Sequence, residues 1–389
     1  MLFPIQVLKA VACFSTMLFP SIFTRWLSAT TSMFPSRASH PTKPLLRVNG
    51  REEFHIAIFS DLHYGENEDS FGIGQDVDST RVMNNILSSE TPDFVVINGD
   101  LITGENTFLQ NSTHYVDVIA ATLEQHNTRW ASTYGNHDSQ FNLSREALFA
   151  QETKHALSYT QHSPSDVPGV TNYYIPIYPS TSNIPVAILW FFDSQGGFPF
   201  QVPPDSAALP DYVEPSVAAW FISEQKVIAA KWGSDLPSLA FVHIPPTAFL
   251  TVQQRYLPKA EQESAQFPGL NDDVPLDSEG DGNQDATFME ALASTMGLHS
   301  VYSGHDHGDA WCGNWPNSTT GGPHLCFCKH TGYGGYGNWN RSSRNLLLKF
   351  SDEGMEVKTW VRMENGEVVQ RVDLNGTYGV DKYPLQDGQ

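Results

Sequence analysis

Phe54-His55-Ile56-Ala57-Ile58-Phe59-Ser60-Asp61-Leu62-His63 is a short apolar run that stops on a carboxylate and, two residues later, an imidazole. The same arrangement recurs downstream. The run 93–97 leads into Asn98-Gly99-Asp100, and the run 130–134 into Gly135-Asn136-His137-Asp138. The run 238–242 delivers His243, and 300–302 gives way to Gly304-His305-Asp306-His307. A further apolar run covers 186–192. Between these runs, helix-like spacing of apolar residues marks 79–89, 116–125, 217–231 and 285–295. Such alternation predicts an α/β protein with a substantially parallel core sheet covered by helices. Past Arg344 the pattern becomes two apolar runs, 346–350 and 356–363, around a turn containing Gly354, which predicts an antiparallel hairpin.

Open α/β sheets bind ligands in the crevice beyond the carboxyl ends of their strands, so the polar strand ends can converge. If strand geometry persists through Asp61 and His63, and through His305 and His307, both members of each pair face one way and can clamp one ion. Singly, each residue has an ordinary reading. An Asp after a strand is usually a turn or cap, and a lone buried His is usually hydrogen-bonded core. Five such sites in chain order, each behind an apolar run, exceed what capping explains.

Asp61-x-His63, Gly99-Asp100, Gly135-Asn136-His137-Asp138, His243 and Gly304-His305-x-His307 resemble the signature of the calcineurin-like metallophosphoesterases, in the expected order over roughly residues 54 to 350. The tail Gly304-His305-Asp306-His307-Gly308-Asp309-Ala310-Trp311-Cys312, with the glycine-rich 330–337, is similar to the branch called purple-acid-phosphatase-29-like or Dcr2-like in plants and fungi. The resemblance implies a four-layer αββα sandwich of two mixed β-sheets flanked by helices. It also implies roles. Asp61, His63 and His307 bind a first metal, Asn136, His243 and His305 a second, and Asp100 bridges them. Carboxylate, amide oxygen and imidazole together suit two divalent or trivalent ions of Fe, Mn or Zn. Two cations about 3.5–4 Å apart clamp a phosphate and lower the pKa of a bridging water, giving hydroxide at neutral pH. His137 follows a ligand without being one, and the resemblance has it face the phosphate and protonate the leaving oxygen. Asp138, or Asp306, could hold it as imidazolium. The plainer reading of Asp138 is a helix cap for the segment from Leu143.

Two departures matter. Purple acid phosphatases carry a Tyr three residues after the Gly-Asp aspartate, where this chain has Thr103, and lack a His at the position of His63. The purple chromophore is therefore not expected, and Fe(III) is not required. The expected activity is a phosphomonoesterase. A phosphodiesterase with the same centre is the nearest alternative, and a non-catalytic, metal-stabilised secreted glycoprotein the alternative of another class. An intracellular phosphoprotein phosphatase is a third. Trp311, Trp315, Tyr333, Tyr336 and Trp339 either line a substrate mouth or pack beneath a disulfide loop, and His330 is a possible extra phosphate contact.

The 389 residues, 40% of them hydrophobic, are enough for a large core. Acidic residues outnumber basic ones 43 to 22, a formal charge of -21 that argues against nucleic acid as a partner. The expected partner is a small-molecule or phosphoprotein phosphate ester, with no stable membrane association. Lys9, an apolar stretch and small residues predict a signal peptide over 1–30, a linker over 31–50 and the catalytic domain over 51–389. Sequons at Asn111, Asn142, Asn317, Asn340 and Asn375 fit a secreted glycoprotein. Apart from Cys13, three cysteines remain. Export favours one disulfide, Cys312 to Cys326 or to Cys328, over a zinc knuckle, whose paired ligand hooks are missing. Cys328 stands where related sequences tend to have Gly. The stretch 260–285 contains Asp277-Ser278-Glu279-Gly280-Asp281, which does not match an EF-hand and reads as a solvated insertion.

Overall fold

The computed structural model describes residues 43–203, 207–233, 235–256, 265–269, 271–273, 284–315 and 322–384. The expected signal peptide, Cys13, the sequon at Asn317 and the core of the acidic insertion lie outside them. Residues 44–389 form one unit. In chain order its strands are β1 (Leu46–Arg47), β2 (Glu53–Phe59), β3 (Phe94–Asn98), β4 (Arg129–Thr133), β5 (Tyr173–Tyr178), β6 (Ala187–Phe192) and β7 (Ser238–Val242). They continue with β8 (Leu298–Ser303), β9 (Cys312–Asn314), β10 (His324–Phe327), β11 (Ser342–Ser351), β12 (Gly354–Met363) and β13 (Val368–Leu374). The helices are α1 (Gly72–Glu90), α2 (His114–Gln125), α3 (Arg145–Glu152), α4 (Pro215–Trp232), α5 (Ala248–Tyr256) and α6 (Ala286–Ser294).

Two sheets stack. One runs β1-β5-β6-β7-β8-β10-β9 and the other β13-β12-β11-β2-β3-β4. The alternation along β2 shows why. Phe54, Ile56 and Ile58 face the inter-sheet core with Leu189, Phe191 and Phe241, while Ala57 and Phe59 face α1 and α2. Strand β6 does the same, sending Leu189 and Phe191 inward and Ile188, Trp190 and Phe192 toward α4 and α6. Helix α1 buries Val82, Met83, Ile86 and Leu87, one stripe of a 3.6-residue repeat. Helix α4 opens on Pro215, ends at Gly233 with φ 82°, and presses Phe221 edge-on against Trp190 and Phe192 at 4.8 and 5.1 Å. Truncating Phe221 to Ala costs about 3–5 kcal/mol on this packing.

The four-layer sandwich is the fold that the family resemblance implies. The single parallel sheet suggested by periodicity is corrected. Parallel pairing is split between the sheets, over β2-β3-β4 in one and over β6-β7-β8-β10, with the short pair β1-β5, in the other. A strand buried on both faces reads as a continuous apolar run in either arrangement, so hydrophobicity could not separate them. The late hairpin is present as β11 and β12, paired over ten residues and extended by β13. β1 places the end of the 31–50 stretch in the sheet, beside β5. Both escaped sequence reading because β1 has two residues and β5 carries Pro176. No described helix is long and apolar enough to cross a membrane.

Candidate metal centre

Strand geometry does not persist past β2. Asp61 and His63 have φ of 54° and 49°, Asp100 of 48° and His305 of 73°, all in the left-handed region that costs a non-glycine residue about 1–2 kcal/mol. The turn is pinned: the amides of Leu62 and His63 both donate to the Asp100 carbonyl, at 2.9 and 3.0 Å. This backbone, not a two-residue strand repeat, brings Asp61 and His63 together with His307. The second pair is split. His305 groups with Asp100 and His243, so His305 and His307 do not clamp one ion from one strand face. Glycines admit the crowding. A Cβ on Gly99, itself at φ 88°, would stand 2.2 Å from His243 Nδ1, and one on Gly135 the same distance from an Asp100 oxygen.

The side chains converge on Asp100. Its Oδ1 accepts the His137 amide at 2.8 Å, leaving Oδ2 3.0 Å from His243 Nε2 and 3.6 Å from His63 Nε2. Asp61 Oδ1 accepts the His305 amide at 3.0 Å and lies 3.7 Å from His307 Nε2 and 3.9 Å from His243 Nε2. The Nε2 atoms of His63 and His307 are 3.2 Å apart. Asp61, His63, Asp100, His243 and His307 are all buried. Asn136 follows β4 in a short 3₁₀ turn, Asn136–Asp138.

The opposite ring nitrogens fix the tautomers. His243 Nδ1 donates to the Asn98 carbonyl at 2.9 Å, and His307 Nδ1 to the Tyr336 carbonyl at 2.7 Å. His63 Nδ1 meets Thr103 Oγ1 at 2.9 Å, and that hydroxyl donates to Glu66 Oε2 at 2.7 Å, so the histidine is the donor. Each Nε2 lone pair is thereby aimed inward, as in histidines that ligate metals. Thr103, noted in the sequence only for not being Tyr, orients His63. Burial lowers the pKa of His63 and His307 and takes His305 down to about 3, keeping these rings neutral. Burial opposes charge on His243 and Asp100 too, but Asp100 lifts His243 to about 9, and His243 and His137 hold Asp100 well below the usual carboxylate range.

The donor set fits metal ions. Asp61 Oδ2 and Asn136 Oδ1 are buried with no hydrogen-bond partner among the described residues, a cost of about 1–3 kcal/mol each that a cation would relieve. Clustered carboxylate, amide and imidazole donors are the ligand chemistry of Fe, Mn or Zn.

His137 stands at the open side, 32% exposed, with its ring 4.9 Å from that of His63. Its Nδ1 meets Glu105 Oε1 at 2.5 Å. Glu105 went unnoticed in the sequence, where nothing but fold geometry connects it to His137. Burial disfavours the imidazolium, but Asp100, Glu105 and Asp138 outweigh it and push the ring up to about 10. Asp138 itself is buried, accepting the Gly135 amide at 2.8 Å and the Ile102 amide at 3.1 Å. Among the described residues it makes no hydrogen bond to His137, and the helix after Leu143 is capped by Ser144 instead. Burial and Asp100 raise Asp138 to about 7.

The late aromatics divide. Trp311 and Trp315 belong to the core under α5, whereas Tyr336 is exposed and stacks on His307 at 4.1 Å. His330 is buried, its Nε2 on the Trp339 carbonyl at 3.1 Å, and does not face an open mouth. The glycine run packs on the ligands: a Cβ on Gly335, at φ 71°, would lie 2.6 Å from His307 and 2.8 Å from His63. The disulfide joins Cys312 to Cys326 across β9 and β10, leaving Cys328 a buried thiol.

A sequence model of the domain described as calcineurin-like phosphoesterase matches residues 54–309. "Probable inactive purple acid phosphatase 29" of Arabidopsis thaliana is 23% identical over 384 residues, covering 89% of this chain and 90% of that protein. "Phosphatase DCR2" of Saccharomyces cerevisiae is 25% identical over 288 residues, or 69% of this chain and 46% of the yeast protein. The crystal structure of a dimetal phosphatase from Danio rerio shares the fold, with a TM-score of 0.50 and 14% identity over 83% of this chain and 98% of that one.

Proposed function

We propose, from the premise that this chain belongs to the calcineurin-like phosphoesterase family, that it hydrolyses phosphate monoesters at a centre of two metal ions. The observation that carries the reading is the convergence of imidazoles, their outer ring nitrogens tied to carbonyl or hydroxyl oxygens at His63, His243 and His307, and two carboxylates on one buried point, with His137 on the open side. Asp61, His63 and His307 hold one ion, Asn136, His243 and His305 the other, and Asp100 lies between. Ions held there supply electrophilic activation of the phosphate and a water of lowered pKa. The protein's own residues do the rest. With Nδ1 committed to Glu105, His137 presents Nε2 to the phosphoryl oxygens and passes its proton to the departing alkoxide. Asp138 acts as a positioning residue, since it ties the 136–138 turn to the Gly135 and Ile102 amides.

The test is hydrolysis of p-nitrophenyl phosphate and its bis-ester by metal-loaded protein, with His137→Ala and metal content measured alongside. The monoester is expected to be preferred, and His137→Ala to lose about 10²–10⁴-fold in rate with both ions retained. Undiminished turnover by His137→Ala would remove its acid role, and preference for the bis-ester would make the protein a phosphodiesterase. The names of the plant relatives favour a second reading, a metal-stabilised glycoprotein without turnover. Inactivity of the loaded wild type would support it.

A secretory location fits the Cys312–Cys326 disulfide, which persists in oxidising compartments, and the exposed sequons at Asn340 and Asn375. Glycan at either Asn is the expected result of mass spectrometry on protein from its source. Unmodified asparagines with reduced cysteines would contradict it.

A further inference from the structure

The described loops around the centre, 61–71, 100–113, 135–144, 193–203, 207–214, 243–247 and 304–309, contain no Lys or Arg. Outside the ligands, the carboxylates Glu66, Glu68, Asp69, Glu105, Asp211 and Glu214 of these loops are at least partly exposed. Three cations on adjoining segments are turned inward. Arg145 is buried, donating to the Gly135 and Gly196 carbonyls and pairing with Asp193 at 3.3 Å. Lys329 is buried with Nζ on the Gly308 carbonyl, and Arg341 donates to the carbonyls of Gly332 and Trp339. A phosphate at the metal ions therefore has His137 beside it, but a second phosphate on the same substrate meets carboxylates.

The same loops also expose large apolar side chains. Phe141, Phe198 and Phe200 are 42%, 40% and 44% exposed, and Phe108 and Leu109 are 48% exposed. The 197–201 segment is tied to the His137 turn. Gly197 packs against the carbonyls of Asn136 and Ser139, the Phe198 amide donates to Ser139 at 2.8 Å, and the Gln201 amide donates to Phe141 at 3.0 Å. Phe108 lies three residues beyond Glu105, the partner of His137. Exposed aromatics gathered beside a buried polar centre are how a pocket holds the apolar part of a ligand.

We infer that the substrate is a singly phosphorylated ester of an apolar alcohol, its aryl or alkyl leaving group lying against Phe141, Phe198, Phe200, Phe108 and Leu109. The acidic, cation-free loops select against nucleoside polyphosphates and other polyanionic esters. This inference rests on the phosphatase reading for its chemistry, but binding tests it separately from turnover.

Metal-loaded protein is titrated calorimetrically with methyl-, butyl- and hexylphosphonate and with hexane-1,6-diphosphonate. Half-burial of the chain predicts about twofold tighter binding per methylene, or about 30-fold from methyl to hexyl. The second phosphonate should cancel most of that gain. In Phe141→Ser/Phe198→Ser, shown folded by its thermal transition, the methyl-to-hexyl ratio should collapse to about fivefold or less. Equal affinity along the series, or tighter binding of the diphosphonate than of hexylphosphonate, overturns the inference. Length-dependent binding by a protein that hydrolyses no ester leaves the rim standing and overturns the phosphatase reading instead.

Discussion

Replacing Thr103 by Val removes one hydroxyl at nearly constant volume from a position 2% exposed to solvent. That oxygen accepts from His63 Nδ1 at 2.9 Å and donates to Glu66 Oε2 at 2.7 Å, so its loss leaves a buried N–H without an acceptor. The folded state should lose about 1–3 kcal/mol from the stranded donor alone. The metal site should lose more selectively. Removing a partner of this kind typically weakens metal affinity about 10–100-fold, which is about 1.4–2.7 kcal/mol. Competition of the apoprotein against a chelator, titrated with Zn²⁺ or Mn²⁺, reads this directly. The ion assigned to Asp61, His63 and His307 should bind more weakly, the other almost as before. Thr103→Ser, which restores the hydroxyl, should restore the affinity. Wild-type affinity for both ions in Thr103→Val, or failure of Thr103→Ser to rescue it, would show that the hydroxyl does not orient His63.

Two further outcomes follow from other parts of the molecule. Gly335→Ala forces a Cβ against His63 and His307 at a left-handed φ, so it should lower metal content and activity together without unfolding the sandwich; metal analysis and circular dichroism check this, and full occupancy would contradict it. His299 and His324, at the starts of β8 and β10, face each other at 5.2 Å, and burial lowers them to about 4 and about 3. Their folded pKa values lie below the unfolded value of about 6.5, so their contribution to stability is present above pH 6.5 and lost as pH falls toward 4. Allowing for their partial exposure, the pair should cost about 1 kcal/mol per pH unit in that window. Urea titrations at pH 7, 6 and 5 should show a shallower loss in His299→Gln/His324→Gln than in wild type, and equal slopes would count against the pair.

The seven proposed ligands were legible because a doubly buried strand cannot continue into charge. Each apolar run had to stop where Asp61, Asp100, Asn136, His243 and His305 begin. What the residues are was plain; how they are held was not. The left-handed turns at Asp61 and His63 replace the strand repeat that spacing suggested, and nothing in the local sequence marks them. Glu105 and Thr103 reach His137 and His63 through loop conformation, which leaves no periodic trace. The division into two sheets is a pairing choice between strands of similar composition, and the family resemblance resolved it where periodicity could not. Pro176 hid β5, and the two residues of β1 were too few to announce a strand.

The most direct measurement is the metal content of purified protein, wild type and Asp100→Asn, by elemental mass spectrometry. Asp100 lies between both ligand groups, 3.0 Å from His243 Nε2 and 3.6 Å from His63 Nε2. Two ions per wild-type chain, and one or fewer with lost phosphatase activity in Asp100→Asn, are predicted. Fewer than two ions in the wild type under metal-replete conditions, or two ions and full activity in Asp100→Asn, would contradict the dinuclear centre.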